Sequence, residues 1–282
     1  PPVIVILHDL LPELKYKRSS PKKNKLKNLL RNLLYLPFQA SWPRELYNLA
    51  DHFIVHAPQL RKQLMNMGIQ TKVSFLEHPI PSSPQRWSLQ HSHKFTFITP
   101  GFTKEHKGYL NFLEVLSQHP NWNWCIAGGP QTTQDELFLE QLQAEIQSRE
   151  LSSRVVLGGY QPREEIDKWL IQADWAVFPY KWTTSSGAVA WAIGLGIPII
   201  ATDLDTFKAL VQAGAGIVLL PHITPQKWPG LISKFMNNDM QRQLAAKNIS
   251  FSQVNSYTGF AHKVNDIAMD ILYNPQHTGE KD

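Results

Sequence analysis

A single cysteine, Cys125, stands in 282 residues, so no disulfide can close within one chain and no set of thiolates can hold a metal. A reducing, cytoplasmic setting fits that scarcity. No run of about 18 consecutive apolar residues occurs, and no helix is expected to cross a bilayer. The apolar "VIVIL" near the start is too short for a signal core and lacks a basic leader. Eleven histidines are present, but none falls at metal-ligand spacing on an evident helix face. Carboxylates are missing from one whole stretch: Lys15, Lys17, Arg18, Lys22, Lys23, Lys25, Lys27 and Arg31 follow one another with no acid between them.

Within that stretch Leu26, Leu29, Leu30, Leu33 and Leu34 recur at helical spacing. A basic amphipathic helix over residues 15–34 suits peripheral contact with an anionic membrane, an acidic partner or nucleic acid. A solvated helix packing its leucine stripe on a core accounts for it equally well. No established nucleic-acid motif is present, so nucleic acid is not an expected partner. The whole chain is 43% hydrophobic and 18% charged, an ordinary balance for a soluble globular chain of one large or two modest domains. Most of the nine tryptophans are expected in the core.

The texture changes along the chain. Up to Ile80 there are three short strand candidates, "VIVIL", "HFIVH" and "KVSFL", and a helix "PQLRKQLMNMG" ended by Gly68. The Pro- and Ser-rich "PIPSSPQRWSLQHSHK" then reads as a linker. From Phe95 on, apolar strand signals such as "FTFITPG", "WNWCIAGG", "RVVLGGY", "DWAVFPY", "IPIIATD" and "GIVLLP" alternate with helical ones. Such repeated βαβ units predict an α/β, doubly wound parallel sheet with helices on both faces. In such sheets ligands bind outside the carboxyl ends of the strands.

Two loops fall at such ends. In "YKWTTSSGAVAW", Ser185, Ser186 and Gly187 open a helix whose free N–H groups and partial positive charge suit a phosphate; plain capping by one serine is the simpler account. In "TPGFTKEHKG", Lys104 and Lys107 stand beside Gly101 and Gly108, where a lysine can neutralise a diphosphate, or merely be solvated. Asp203 and Asp205 resemble a metal-binding pair, but Asp205 is read in preference as a helix N-cap. His8, at the end of the first strand, can serve as a base or orienting donor, or simply end the strand.

Taken in order, these segments resemble a GT-B glycosyltransferase of the retaining, nucleotide-sugar-dependent group called family 4. "ITPGFTKEHKG", "CIAGGP", "VVLGGYQPREEIDKWLIQADWAVFPY" and "SSGAVAWAIGLGIPIIATDLDTF" resemble its donor domain. "ADHFIVHAPQLRKQLMNMGIQTKVSFLEHPI" resembles the end of its acceptor domain. The likeness covers most of the chain and is specific in its order, although each motif alone is loose. It implies an acceptor domain over residues 1–80, a linker over 81–94 and a nucleotide-sugar domain over 95–255. The helix "YTGFAHKVNDIAMDILY" within 256–282 would cross back to the first domain.

The resemblance also assigns roles. It implies donor contacts at Gly101, Lys104, Lys107, Thr183, Ser185, Ser186, Gly187 and Ala188, with Gly158, Tyr160 and Gln161 near the base. His8 would face the reacting sugar. No cofactor or metal is implied, the helix dipole and cations stabilising the departing diphosphate. Three departures stand out. The family's two glutamates, with seven residues between them, are Thr183 and Trp191 here, and its arginine after the first glycine is Phe102. The first half of the acceptor domain is also missing, as in a part of a longer enzyme or a degenerate relative.

The expected activity is hexose transfer from a nucleoside-diphosphate sugar to a saccharide or lipid-linked acceptor, in polysaccharide or glycolipid synthesis. The inner face of the membrane would be its place if residues 15–34 bind lipid. A non-catalytic relative that binds a nucleotide sugar or a partner remains open. So does a basic binding module resting on the lysine-rich stretch alone, and a sugar-nucleotide epimerase fits the donor segments less well.

Overall fold

Short β-branched runs bounded by polar residues form the strands of the computed structural model, which describes residues 3–7, 50–66, 68–69, 72–89 and 95–273. His8, the basic stretch 15–34 and residues 90–94 lie outside the described residues. The chain divides into two units, Pro1–Glu77 with His262–Asp282, and His78–Ala261.

In the first unit, β1 (Ile4–Leu7), β2 (His52–Val55) and β3 (Lys72–Phe75) form a parallel sheet in that order. Helix α1 (Pro58–Asn66) joins β2 to β3 and buries Leu60 and Leu64 with Phe53 and Val55. Gly68, with φ of 77°, supplies the left-handed turn after it.

The second unit continues with β4 (Phe95–Pro100), α2 (Tyr109–Ser117), β5 (Trp122–Ala127), α3 (Thr133–Ser148), β6 (Val155–Leu157) and α4 (Arg163–Gln172). It goes on through β7 (Trp175–Phe178), α5 (Gly187–Leu195), β8 (Ile199–Thr202), α6 (Asp205–Gln212), β9 (Ile217–Leu220), α7 (Trp228–Phe235) and α8 (Asn238–Val254). All neighbours are parallel, in the order β6-β5-β4-β7-β8-β9. This is the doubly wound sheet that the alternating pattern predicts. A last helix, α9 (Tyr257–Tyr273), runs from the second unit into residues assigned to the first.

Parallel strands covered on both faces need apolar side chains at nearly every position, and β7 and β8 are buried throughout. Phe97, Trp124 and Val177 share a core with Tyr109 and Phe112 of α2 and Leu142 of α3. Ile98, Ala176 and Phe178 share the opposite core with Leu170 of α4 and Ile193 of α5. Trp87, Trp122, Trp124, Trp175 and Trp228 are buried, whereas Trp182 is exposed.

Two features depart from the sequence reading. Residues Pro81–Leu89, expected within a linker, bind along the second unit. Trp87 donates from its backbone to Leu195 O (2.8 Å) and from Nε1 to Ala173 O (2.7 Å). A composition poor in aliphatic residues hid this, because the one buried side chain of the segment is an indole. Helix α8, not anticipated, is capped by Asn237, whose Oδ1 accepts from Met240 N (2.8 Å). Its Asn248 is fully buried, accepting from Gly216 N (2.7 Å) and donating to Ile197 O (2.8 Å) and Gly216 O (3.1 Å).

Those bonds yield a prediction. Asn248→Ala strands buried backbone groups at the start of β9 and should cost about 2–3 kcal/mol. Urea denaturation followed by tryptophan fluorescence reads this, and a loss under about 0.5 kcal/mol would show the bonds to be dispensable.

Candidate functional site

The strand order reverses between β4 and β7, the place where a doubly wound sheet leaves a crevice at its carboxyl edge. Both loops singled out in the sequence leave from these two strands. After β4, Gly101 takes φ of 93° and donates to Ala127 O (2.9 Å), and Thr103 N donates to Gly129 O (2.9 Å). A short 3-10 turn, Glu105–Lys107, follows and ends at Gly108, with φ of 68°. A Cβ on Gly108 would fall 1.9 Å from Pro179 O, so only glycine lets this turn lie against the end of β7.

That turn buries Lys107, which is 8% exposed. Its Nζ lies 5.6 Å from the centre of the Tyr180 ring. A Cβ on Gly101 would meet Lys107 Nζ at 3.2 Å and Ala188 Cβ at 3.5 Å. The ammonium and the first turn of α5 therefore adjoin the same glycine. Burial, then the nearby charge of Lys104, lower the Lys107 pKa to about 7, with Asp135 opposing, and no described carboxylate pairs with it. Lys104 is only half-buried, its Nζ 5.9 Å from the centre of the Phe102 ring.

After β7, Ser186 caps α5, its Oγ accepting from Val189 N (3.3 Å). The capping reading of the sequence thus holds for this hydroxyl. It leaves the N–H groups of Gly187 and Ala188 outside the helix's own bonding. Gly187 is exposed, and Ser185 and Ala188 are half-buried. Thr183 donates to Ser185 O (2.7 Å), and Thr206 of α6 reaches Thr183 O (3.3 Å) and Thr184 O (3.0 Å). Beneath the loop, Tyr180 is fully buried; burial pushes its phenol pKa up, and the Ser186 hydroxyl works against that.

On the β6 side, Gln161 Nε2 donates to Gly158 O (3.0 Å). Exposed Tyr160 donates to Pro130 O and meets Phe102 edge-on, the ring centres 6.4 Å apart. The tip of the β4 loop thus joins Gly158, Tyr160 and Gln161 through Phe102.

Trp191 lies on the α4 side of α5. Its Nε1 donates to Asp167 Oδ1 (2.5 Å), and the Arg163 guanidinium lies 5.4 Å from its ring centre. Asp205 is not the cap expected of it. Leu204 occupies that position, and Asp205 sits in the first turn, 3.8 Å from Lys208 Nζ. The preceding carboxylate, Asp203, instead accepts from His222 N (2.8 Å) and meets His222 Nδ1 at 2.5 Å. Among the described residues no cluster of three His, Cys, Asp or Glu could hold a metal, and no helix is long and apolar enough to cross a membrane.

Sequence reasoning missed three features here: the Asp203–His222 pair, buried Tyr180, and a stack of His106 on Trp182 with ring centres 4.5 Å apart. The last had a visible signal, an aromatic side by side with the hydroxyl-rich loop.

A doubly wound parallel sheet with a cationic carboxyl edge is the donor-domain architecture of GT-B glycosyltransferases. The chain belongs to the glycosyl transferases group 1, whose sequence pattern matches residues 83–250. Among solved structures, it is similar to sucrose-phosphate synthase from Thermosynechococcus elongatus, with a TM-score of 0.72 and 15% identity over 95% of this chain and 67% of that one. It is also similar to Anabaena HepE in complex with UDP and glucose, with a TM-score of 0.68 and 15% identity over 95% of this chain and 71% of that one. A lipopolysaccharide outer core galactosyltransferase, WaaB, gives a TM-score of 0.64 and 15% identity over 79% of this chain and 63% of that one. No curated protein matches by sequence.

The unpaired ammonium makes a prediction about stability. With its pKa lowered to about 7 in the fold and near 10.4 unfolded, Lys107 penalises the folded state most below pH 7. The penalty fades as pH rises towards 10. Lys107→Met should therefore raise the melting temperature of the ligand-free protein at pH 7, by an increment that shrinks between pH 7 and 10. A melting temperature lowered at pH 7 would mean that the ammonium is paired after all.

Proposed function

We propose that the chain transfers a hexose from a nucleoside-diphosphate sugar to a saccharide or lipid-linked acceptor, without a metal ion. The observation that carries this reading is the buried Lys107 ammonium, unpaired among described carboxylates and set beside Gly101 and the first turn of α5. A charge so placed is costly until an anion neutralises it. A diphosphate would take the Lys107 ammonium together with the N–H groups of Gly187 and Ala188, while Ser185 and Thr183 shape the loop around it.

As the bond from C1 to the diphosphate oxygen breaks, negative charge grows on the leaving group and positive charge on the sugar ring. Lys107 and the α5 terminus would meet the first of these. Gly158, Tyr160 and Gln161 are assigned to the base, and Lys104 to the outer phosphate. His8 is assigned the acceptor-side role of base or orienting donor. Retention of configuration and membership of family 4 follow from the sequence resemblance. Residues 15–34 are proposed to touch an anionic membrane, where lipid-linked acceptors of polysaccharide or glycolipid synthesis lie, on its cytoplasmic face.

A second reading, nucleotide-sugar binding without turnover, has a specific observation behind it. Thr183 turns its hydroxyl onto Ser185 O, and Trp191 is tied to Asp167, so neither position offers a carboxylate of its own. Hydrolysis of a bound nucleotide sugar, even slow, separates the two.

The first test is calorimetric titration with UDP, GDP and ADP. One nucleotide should bind, and Lys107→Ala should weaken it by about tenfold or more, with Ser186→Ala weakening it less. Because Lys107 attracts phosphate as an ammonium and not as a neutral amine, affinity should fall as pH rises through about 7, with proton uptake on binding. A flat titration with all three nucleotides, on folded protein, would remove the donor site.

A further inference from the structure

Trp182 is the most exposed of the described tryptophans, at 61%, and it stands one residue before the hydroxyl-rich loop. An indole so exposed would ordinarily be free to swing. Here it is fixed. The His106 ring stacks on it at 4.5 Å and 29°, and burial, followed by the charges of Lys107 and Lys104, lowers the His106 pKa to about 4. The imidazole is thus neutral at pH 7 and offers the indole a flat face without charge. The two segments are joined below the stack as well. Lys181 N donates to His106 O (2.7 Å), and the Lys181 ammonium lies 3.4 Å from Glu105 Oε1. Gly108 packs directly on Pro179 O. One face of Trp182 is covered by His106, and the ring remains mostly open to solvent.

Its place along the sheet edge gives the open surface a use. Tyr160 follows β6, Lys107 and Gly101 follow β4, and Trp182 follows β7, so Tyr160 and Trp182 flank the ammonium on opposite sides. A diphosphate at Lys107 would carry two substituents, and the strand order offers an aromatic on either side to receive them. Beyond Trp182, at the ends of β8 and β9, stands the polar Asp203–His222 pair. An apolar plate followed by a carboxylate and an imidazole matches a pyranose, whose C–H face stacks on an aromatic ring while its hydroxyls seek polar groups.

On the donor-site reading given above, we propose that Trp182 is the stacking platform for the pyranose ring attached to the diphosphate, with His106 as its positioning residue. Trp182 thereby favours the nucleotide sugar over the free nucleotide. The Tyr160 side is left to the nucleoside.

The test measures, by calorimetry, the affinity of each nucleotide and of its sugar conjugate (UDP and UDP-glucose, GDP and GDP-mannose, ADP and ADP-glucose). It uses the wild type, Trp182→Ala, Trp182→Phe and His106→Ala. Trp182→Ala should weaken the conjugate by about three- to tenfold and leave the free nucleotide within about twofold. Trp182→Phe should restore most of the loss, and His106→Ala should lose part of it. An equal loss for nucleotide and conjugate would overturn the proposal, placing Trp182 at the base or in the fold. No loss for either, or a loss confined to free maltose or cellobiose titrated beside the bound nucleotide, would overturn it too. Wild type that binds no nucleotide would fail at the donor site itself, a result distinct from all of these.

Discussion

A positive charge held out of water, with no described carboxylate paired to it, is the constraint around which the second unit is arranged. Lys107 is stripped of solvent by the turn that carries it, by the Tyr180 ring and by the start of α5. Lys104 adds like charge nearby, and the same pair, with burial, holds His106 neutral. The N-terminus of a helix adds a further partial positive charge. These terms are all a cost to the ligand-free fold, and on the proposed function an anion would turn that cost into affinity. A membership in the glycosyl transferases group 1 and an anion-seeking crevice are two independent routes to the same reading.

Keeping such a charge in place requires rigid walls, and these come from close backbone contact rather than from salt bridges. Gly108 lets the β4 loop touch Pro179, and the Thr99 hydroxyl donates to Val177 O (2.6 Å), tying β4 to β7. Thr202 donates to Tyr180 O (2.7 Å), and Thr206 braces the loop from α6. The ion pairs of this unit are mostly exposed helix pairs such as Arg242–Asp239 and Lys168–Glu165, which contribute little. Farther out, α8 is fastened by Asn248 to the backbone at Ile197 and Gly216, flanking the two strands that carry the far side of the edge.

The two positions that the resemblance matched to glutamates are each occupied with local contacts. Thr183 spends its hydroxyl on shaping its own loop, and Trp191 joins α5 to α4 through Asp167, with Arg163 over its ring. Neither residue is idle. Both make structural contacts, and the carboxylate that Trp191 meets belongs to a neighbouring helix. Phe102, where the resemblance led to an arginine being expected, makes an aromatic contact with Tyr160.

Strand and helix periodicity, set by which side chains must face two cores at once, was enough to give the parallel sheet. Glycine and hydroxyl spacing was enough to mark two loops at its carboxyl edge. Those are local properties, written in residues a few positions apart. Helix α8 escaped notice because its buried face includes Gln241, Asn248 and Ser252, polar groups whose burial makes sense only once the backbone groups they bond are in place. Asp205 was read as a cap because that chemistry is common before a helix, but the chain turned one residue earlier. Which lysine is buried, which tryptophan is exposed, and what covers the indole of Trp182 are likewise beyond local pattern. Each depends on residues some 75 positions apart, His106 with Trp182 or Lys107 with Tyr180, brought together only when β4 and β7 pair. The sequence alone determined the sheet and the kind of loop at its edge. Tertiary packing decided the electrostatics, because desolvation is a property of what surrounds a charge and not of the residue that bears it.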